Sequence, residues 1–440
     1  MNILMFTNTY LPHVGGVARS VSVFAQDLVH MGHRVAVVAP HYQGDTSGQP
    51  SRVPVIRVPA LQNFNGSDFS VRLPIPFALS EQIEAFAPDI IHSHHPFLLG
   101  DTAMRVARQR DLPLVFTHHT MYEWYTHYVP FDSKGMKRFV INLSTQYANM
   151  CSTVIAPSQS IASLLSQRGV HTPIENIPTG IDLDQFSAGQ AARLNERFAL
   201  EASSRVIGHV GRLAPEKNLI FLAKAVARAM QDAPHSIFLL VGDGPSLPDI
   251  RETFAKAHMQ SRLVCTGKLS GSDLADAYAA MDLFVFASKT ETQGLVLAEA
   301  MATSTPVIAL DASGTREVVQ DEENGRLLPA KCSESEFAQA LTQALSSMHS
   351  KDRWAREARN TAAGFSRQVC ARKLLDVYES LHAGHMQRAQ SPHDPDDILS
   401  WDALLKSLKI EWELISHKTQ AVVDAVTAEK KPRLRGENES

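Results

Sequence analysis

Two cations five residues apart stand out in Gly211-Arg212-Leu-Ala-Pro-Glu216-Lys217-Asn218, directly after the apolar run Val206–Val210. Arginine offers phosphate oxygens a planar fork, and lysine a compact point charge. Placed at a strand's carboxyl end and ahead of a helix, whose N-terminus adds partial positive charge, the pair suits a diphosphate. A solvated charged loop would have the same composition. Glu291 and Glu299 lie eight positions apart in Glu291-Thr-Gln-Gly294-Leu295-Val-Leu-Ala-Glu299. A helix is expected to start near Gly294, with Glu299 in its second turn. Carboxylates accept hydrogen bonds from vicinal hydroxyls, so the pair could grip a sugar and a ribose. The backbone at Gly294 and Leu295 could hold phosphate between them. Two surface glutamates at this spacing by coincidence is the plainer alternative. Gly15-Gly16, between the first strand and the helix after it, would let backbone N–H groups approach a phosphate. A tight turn uses the same residues, and the full G-x-G-x-x-G fingerprint is absent.

Eleven of the nineteen histidines precede residue 172, among them His92-Ser-His94-His95 and His118-His119-Thr120. A zinc centre needs three or four ligands in closed geometry, and the chain has neither HExxH nor cysteine partners for it. Hydrogen bonding to sugar hydroxyls or acid–base duty fits these clusters better, and for His92, His94 and His95 packing and loop structure is the preferred reading. Asp182-Leu-Asp184 has the form of a metal-binding Asp-x-Asp, yet it falls at the junction between two series of strands and reads as a turn. Neither a nucleophile elbow nor a Walker A loop occurs.

The elements that must position these residues alternate regularly. Ile3–Thr7, Val35–Ala39, Val55–Val58, Ile90–His92, Leu114–Thr117 and Val154–Ala156 read as strands, separated by helical stretches such as Val17–Met31, Gly100–Arg110 and Lys134–Met150. Pro178 and Gly180 punctuate the chain. A second series follows: Val206–Val210, Ile237–Val241, Leu263–Thr266, Leu283–Phe286 and Pro306–Ala309. The pattern predicts an α/β protein with parallel sheets, whose ligand loops lie at the strands' carboxyl ends. Two such lobes would leave a cleft suited to bringing two substrates together.

Composition sets outer limits. A length of 440 residues gives two to three domains as a prior. With 44% hydrophobic and 20% charged residues the chain is neither collagenous nor mostly disordered. A net charge of −4 supplies no global field for nucleic acid. The four cysteines form no CxxC pair and read as reduced thiols. No apolar run approaches the ~18 residues of a membrane span. The start, MNILMFTNTY, lacks a basic n-region and reads as a first strand, so a cytoplasmic protein is expected.

Taken together, Gly15-Gly16-Val17, Ile91-His-Ser-His, Gly180-Ile-Asp-Leu-Asp, Gly211-Arg212 with Glu216-Lys217-Asn, Gly242-Asp-Gly-Pro and Glu291…Glu299 resemble the retaining glycosyltransferases of the two-lobed GT-B fold, family four (glycosyltransferase group 1). The resemblance spans roughly residues 1–384. It implies two facing Rossmann-like lobes: an acceptor-side lobe over 1–178, completed by the helix at 366–384, and a nucleotide-sugar lobe over 179–365. It places Arg212 and Lys217 on the diphosphate, Glu299 on ribose, and Glu291 with Gly294 and Leu295 on the donor sugar. Gly15 and Gly16 would close over the phosphates and His119 would lie near the anomeric carbon, making His119 and Glu291 the expected catalytic pair. No resident cofactor is implied, although a divalent metal could stimulate without binding tightly. A nucleotide-sugar epimerase and a non-catalytic sugar-nucleotide binding protein are the other readings of such a chain.

The segment Thr117-His-His119-Thr120-Met-Tyr122-Glu-Trp-Tyr125-Thr-His-Tyr128 is similar to that of family members that glycosylate diacylglycerol, with Thr120, Tyr122 and Tyr125 on the acceptor side. A hexose from a UDP-glucose-like donor would then pass to a lipid hydroxyl, the alternative acceptor being a soluble sugar or sugar phosphate. A lipid acceptor calls for peripheral membrane contact, on the inner face of the cell membrane, through 134–150, where Met136, Phe139, Val140, Leu143, Tyr147 and Met150 share a face beside Lys134, Lys137 and Arg138. A helix packed on the sheet would show the same pattern. Residues 385–440 read as a polar linker and an amphipathic helical tail. Its seam from Trp401 through Leu405, Leu408, Trp412, Ile415 and Val422 to Val426 suits self-association.

Overall fold

The aliphatic runs of the first half become strands buried on both faces, as in β1 (Asn2–Phe6), whose last four residues are all inaccessible to solvent. The structure, a computed structural model, describes residues 1–12, 15–42, 52–61, 71–72, 77–124, 134–201 and 203–389. It divides into two compact units. One comprises Met1–Pro157, Ala162–Ile177 and the described part of Ala371–Ser440; the other comprises Ser158–Ile161 and Pro178–Cys370.

In the first unit β1 is followed by α1 (Gly16–His30), β2 (Arg34–Pro40), β3 (Val55–Val58), a small antiparallel pair β4 (Ala60–Leu61) and β5 (Val71–Arg72), and α2 (Phe77–Phe86). Then come β6 (Ile90–Ser93), α3 (Leu99–Gln109), β7 (Leu114–Thr117), α4 (Lys134–Asn149), β8 (Thr153–Ala156), α5 (Gln159–Gln167) and β9 (Ile174–Asn176). Seven strands form one parallel sheet in the order β3-β2-β1-β6-β7-β8-β9.

The second unit opens with two short helices that the sequence pattern does not reveal, α6 (Leu183–Ser187) and α7 (Ala191–Arg197). It continues through β10 (Arg205–Val210), α8 (Leu219–Ala229), β11 (Ser236–Val241), α9 (Leu247–Lys256), β12 (Leu263–Gly267) and α10 (Gly271–Ala279). After these come β13 (Leu283–Phe286), α11 (Leu295–Ala302), β14 (Val307–Leu310), β15 (Gly325–Leu328), α12 (Glu334–Ser346) and α13 (Met348–Ala363). Its parallel sheet has the order β12-β11-β10-β13-β14-β15, with an apolar core on each face.

The last helix, α14, runs over Arg367–Ala389, past the expected stop and into the segment read as a polar linker. Polarity alone does not end a helix, and Gly384 sits inside it with open space where a Cβ would go. From Ala371 onward α14 belongs to the first unit, where Tyr378 is fully buried. The seam at 401–426 lies outside the described residues. No described helix is long and apolar enough to cross a membrane.

Candidate active site

The order of the second sheet explains where its charged loops meet. The chain leaves β10 for β11 on one side and returns to pair β13 on the other, so the loops after β10 and β13 emerge side by side. A ligand crevice opens at such a switch point. Asn218, held in the left-handed region (φ 56°), ends the 3-10 turn Pro215–Lys217 and starts α8. Its side-chain amide donates to the Ala287 carbonyl (3.3 Å), tying the two loops together. Lys217 forms an ion pair with Glu291, and Arg212 one with Glu216. The sequence presents Arg212 and Lys217 as a matched pair of cations; the structure gives each its own carboxylate. Arg212 is half exposed and Lys217 about one-fifth. Solvent-accessible pairs of this kind contribute only ~0–1 kcal/mol. A diphosphate could therefore take both cations over.

α11 begins at Gly294, whose φ of 72° favours glycine, and a Cβ there would come within 2.9 Å of Leu297 and 3.0 Å of the Gly314 carbonyl. Gly314 (φ 74°) packs in turn against the backbone of Glu291–Gln293. Close backbone packing thus holds the helix start, with the partial positive charge of its first N–H groups, beside Glu291. Gln293, which no motif singles out, ties this loop to Thr179. Its amide donates to the Thr179 carbonyl (2.7 Å) and accepts from the Thr179 N–H (2.8 Å). Leu295 is half-buried at the first helical position. Glu299 is almost wholly buried, and its Oε2 accepts from the Tyr278 hydroxyl (2.8 Å). Tyr278 itself is clamped edge-on against Phe186, with Phe284 alongside. His209 stacks on Phe284 and Phe286 below Gly211 and donates from Nδ1 to the Val285 carbonyl (3.0 Å); burial lowers its pKa to about 4. Asp182 is used as the N-cap of α6, accepting from the Gln185 N–H (3.0 Å). Among the described residues no group of His, Cys, Asp or Glu side chains is arranged to hold a metal ion.

In the first unit Gly15 caps α1 in an extended conformation, and a Cβ on Gly16 would meet open space. The histidine clusters gather at the carboxyl ends of the adjacent strands β6 and β7. His92 is bound on both ring nitrogens, by Tyr378 Oη (2.5 Å) and Thr117 Oγ1 (2.7 Å). His95 Nδ1 accepts from the Asn8 N–H (3.1 Å). These two are built into the fold, in line with the packing expectation. His94 differs, because its Nδ1 lies 2.9 Å from Nε2 of the half-buried His119. Thr120 is also half-buried, and Tyr122 is buried with its ring edge-on to Phe97 and His118. Tyr125 lies outside the described residues.

Burial pushes His92 and His95 down to about 3 and His118 to about 4, and His94 and His119 well below the usual imidazole value. The cluster is neutral in the folded protein, whereas the unfolded chain protonates near 6.5. Stability is therefore undiminished above pH 6.5 and is lost progressively as pH falls towards 4 and 3. Urea midpoints are expected to drop between pH 7 and pH 5, a window above most carboxylate titration; equal midpoints would contradict a neutral cluster.

Two parallel α/β units, one with phosphate-ready groups at its switch point, define a Rossmann-like architecture of the GT-B class. The solved structure of HepE from Anabaena in complex with UDP shares it, with a TM-score of 0.70 at 22% identity over 86% of this chain and all of that one. Residues 14–185 match Glycosyltransferase Family 4, and residues 204–347 match Glycosyl transferases group 1. The chain is 31% identical over 359 residues to the Alpha-monoglucosyldiacylglycerol synthase of Streptococcus pneumoniae, covering 78% of each protein. It is 28% identical over 402 residues to the GDP-mannose-dependent alpha-mannosyltransferase of Mycobacterium tuberculosis, covering 88% of this chain and 99% of the relative. The chain belongs to the group 1 glycosyltransferases and is an enzyme of the hexosyltransferase type.

Proposed function

We propose that the enzyme moves a hexose, with retained anomeric configuration, from a nucleoside diphosphate sugar of the UDP-glucose type to a hydroxyl of diacylglycerol or a related lipid. The observation that carries this reading is the meeting, within one unit, of Lys217, Glu291 and the start of α11 at the sheet's switch point. Glu299 takes the ribose hydroxyls. Arg212, Lys217 and the first N–H groups of α11 take the diphosphate, releasing Glu216 and Glu291. Glu291, with the backbone of Gly294 and Leu295, then positions the sugar. As the bond from the anomeric carbon to phosphate oxygen breaks, charge develops on the departing diphosphate, and these preorganised cations and dipoles stabilise it. The acceptor oxygen bonds to the same face of that carbon, and its proton passes to a phosphate oxygen of the leaving group. His119, Thr120 and Tyr122 are assigned to the acceptor side, and Gly15-Gly16 to the phosphates.

The lipid acceptor draws support from the diacylglycerol-modifying relative and from α4. Met136, Phe139, Val140 and Leu143 are only half-buried there, beside half-buried Lys137 and exposed Arg138. The buried end is Tyr147, whose hydroxyl donates to the Gly100 carbonyl (2.9 Å). Such a face can lie in a membrane interface, each cation adding ~1 kcal/mol on an anionic surface, and would hold the enzyme peripherally on the cytoplasmic leaflet. The match to a mannosyltransferase over 99% of its length supports a second reading, mannosyl transfer from GDP-mannose.

Nucleotide release from UDP-glucose and from GDP-mannose, with and without diacylglycerol in mixed micelles, tests the proposal. Release of UDP that depends strictly on the lipid is the expected result. Release driven by a soluble sugar, or GDP release alone, would overturn the acceptor or the donor.

A further inference from the structure

We propose that His94 is a positioning residue that sets the tautomer of His119, so that His119 meets its substrate as a hydrogen-bond donor through Nδ1 and not as a base. The inference rests on the acceptor-side role assigned to His119 and deepens it.

The two rings are brought together by the sheet. Ser93 on β6 pairs with Phe116 on β7, so His94 and His119 leave neighbouring strands at the same edge. The His94 N–H donates to the Phe6 carbonyl (2.9 Å), and the His118 N–H to the Ile155 carbonyl (2.9 Å), which anchors both exits. The ring planes lie 26° apart with centroids 5.2 Å apart, so the two rings meet edge to edge through His94 Nδ1 and His119 Nε2. His94 is fully buried, with His92 on its other side at 4.1 Å between centroids. His92 has both nitrogens engaged elsewhere, and His94 Nε2 has no partner among the described residues.

One proton lies between His94 Nδ1 and His119 Nε2, and burial keeps both rings neutral. If His119 gave that proton, His94 would carry its own on Nε2, leaving an orphaned N–H in the interior. If His94 gives it, Nε2 of His94 is left as a lone pair. Buried orphan N–H groups are the rarer and costlier case, so His94 donates. His119 then accepts on Nε2 and carries its proton on Nδ1. A neutral imidazole in that form can hold a sugar or acceptor hydroxyl oxygen but cannot take the hydroxyl's proton through the same nitrogen. The acceptor's proton must then leave by another group, consistent with its transfer to the departing phosphate.

Long-range proton–nitrogen NMR of the histidine rings in the full-length protein reads the tautomer directly. The expected result is a protonated Nδ1 on His119, located by comparison with His119→Ala. A protonated Nε2 would overturn the proposal. Turnover with UDP-glucose and diacylglycerol supplies the second arm. His94→Leu is expected to lower kcat about 10- to 100-fold with KM for UDP-glucose nearly unchanged, the usual scale for losing an orienting partner. In His94→Asn the amide N–H stands where Nδ1–H stood, so much of the lost kcat should return. Equal impairment of His94→Asn and His94→Leu, or full turnover in both, would also overturn it. If His119→Ala keeps full turnover while His119 is protonated on Nδ1, the pairing stands and the site assignment of His119 is what fails.

Discussion

Lys217→Ala is expected to lower kcat/KM for sugar transfer about 100- to 1,000-fold, the scale seen when one donor to a developing anion is removed. The geometry explains why the loss should be large in rate and small in stability. Lys217 sits at the end of the 3-10 turn that Asn218 ties to the loop after β13, and its ammonium is held at the switch point by Glu291. Its present partner, Glu291, is about one-fifth exposed and keeps access to water when the lysine is gone. Thermal midpoints of wild type and variant should therefore lie within a few degrees. Lys217→Arg should recover only part of the rate, because a planar fork does not reproduce a point charge. A loss in kcat/KM of less than threefold for Lys217→Ala would remove Lys217 from the diphosphate site.

The second large effect is expected at Glu299. In the proposed ribose site, removing its carboxylate would take away charge-assisted hydrogen bonds, each of the order of 1.5–3 kcal/mol, so Glu299→Ala should weaken UDP binding about 100-fold in calorimetry. Tyr278 supplies an internal control. Its hydroxyl donates to Glu299 Oε2 at 2.8 Å, so its influence on the nucleotide is expected to pass through that carboxylate. Tyr278→Phe should therefore weaken UDP by about 3- to 10-fold and do nothing further in the Glu299→Ala background. Additive losses would mean that Tyr278 acts on the nucleotide by some other route, and unaltered UDP affinity in Glu299→Ala would dismiss the ribose assignment.

These two residues show how differently parts of the site could be read from sequence. Lys217 and Glu299 stand in motifs whose spacing announces them, after an aliphatic strand and within a helix that follows a glycine. Tyr278 stands in an unremarkable helix, 21 residues before its partner, and nothing local marks it. The same holds for His209 beneath Gly211, whereas Gln293 lies 114 residues from its partner Thr179. A cue was present for Gln293, an amide next to a helix-starting glycine, but an amide in a loop has many ordinary uses. In sequence His94 looks as structural as His92 and His95. Only the 25-residue separation closed by β6 and β7 reveals that it reaches His119. The end of α14 is hidden for the opposite reason, since the polar composition after residue 384 suggests a stop and the helix runs on to Ala389.

By itself the sequence determined the α/β class, the parallel strands and the glycosyltransferase family, because strand burial, βα turns and loops rich in glycine and charge leave periodic, local marks. The tertiary structure alone decided which groups share a proton or an ion pair: Lys217 with Glu291, Tyr278 with Glu299, His94 with His119. Contacts of that kind are made where strands, or the helices packed on them, become neighbours although distant in the chain. Strand order is set by how whole helices and sheets bury their faces, and no short stretch of residues encodes it.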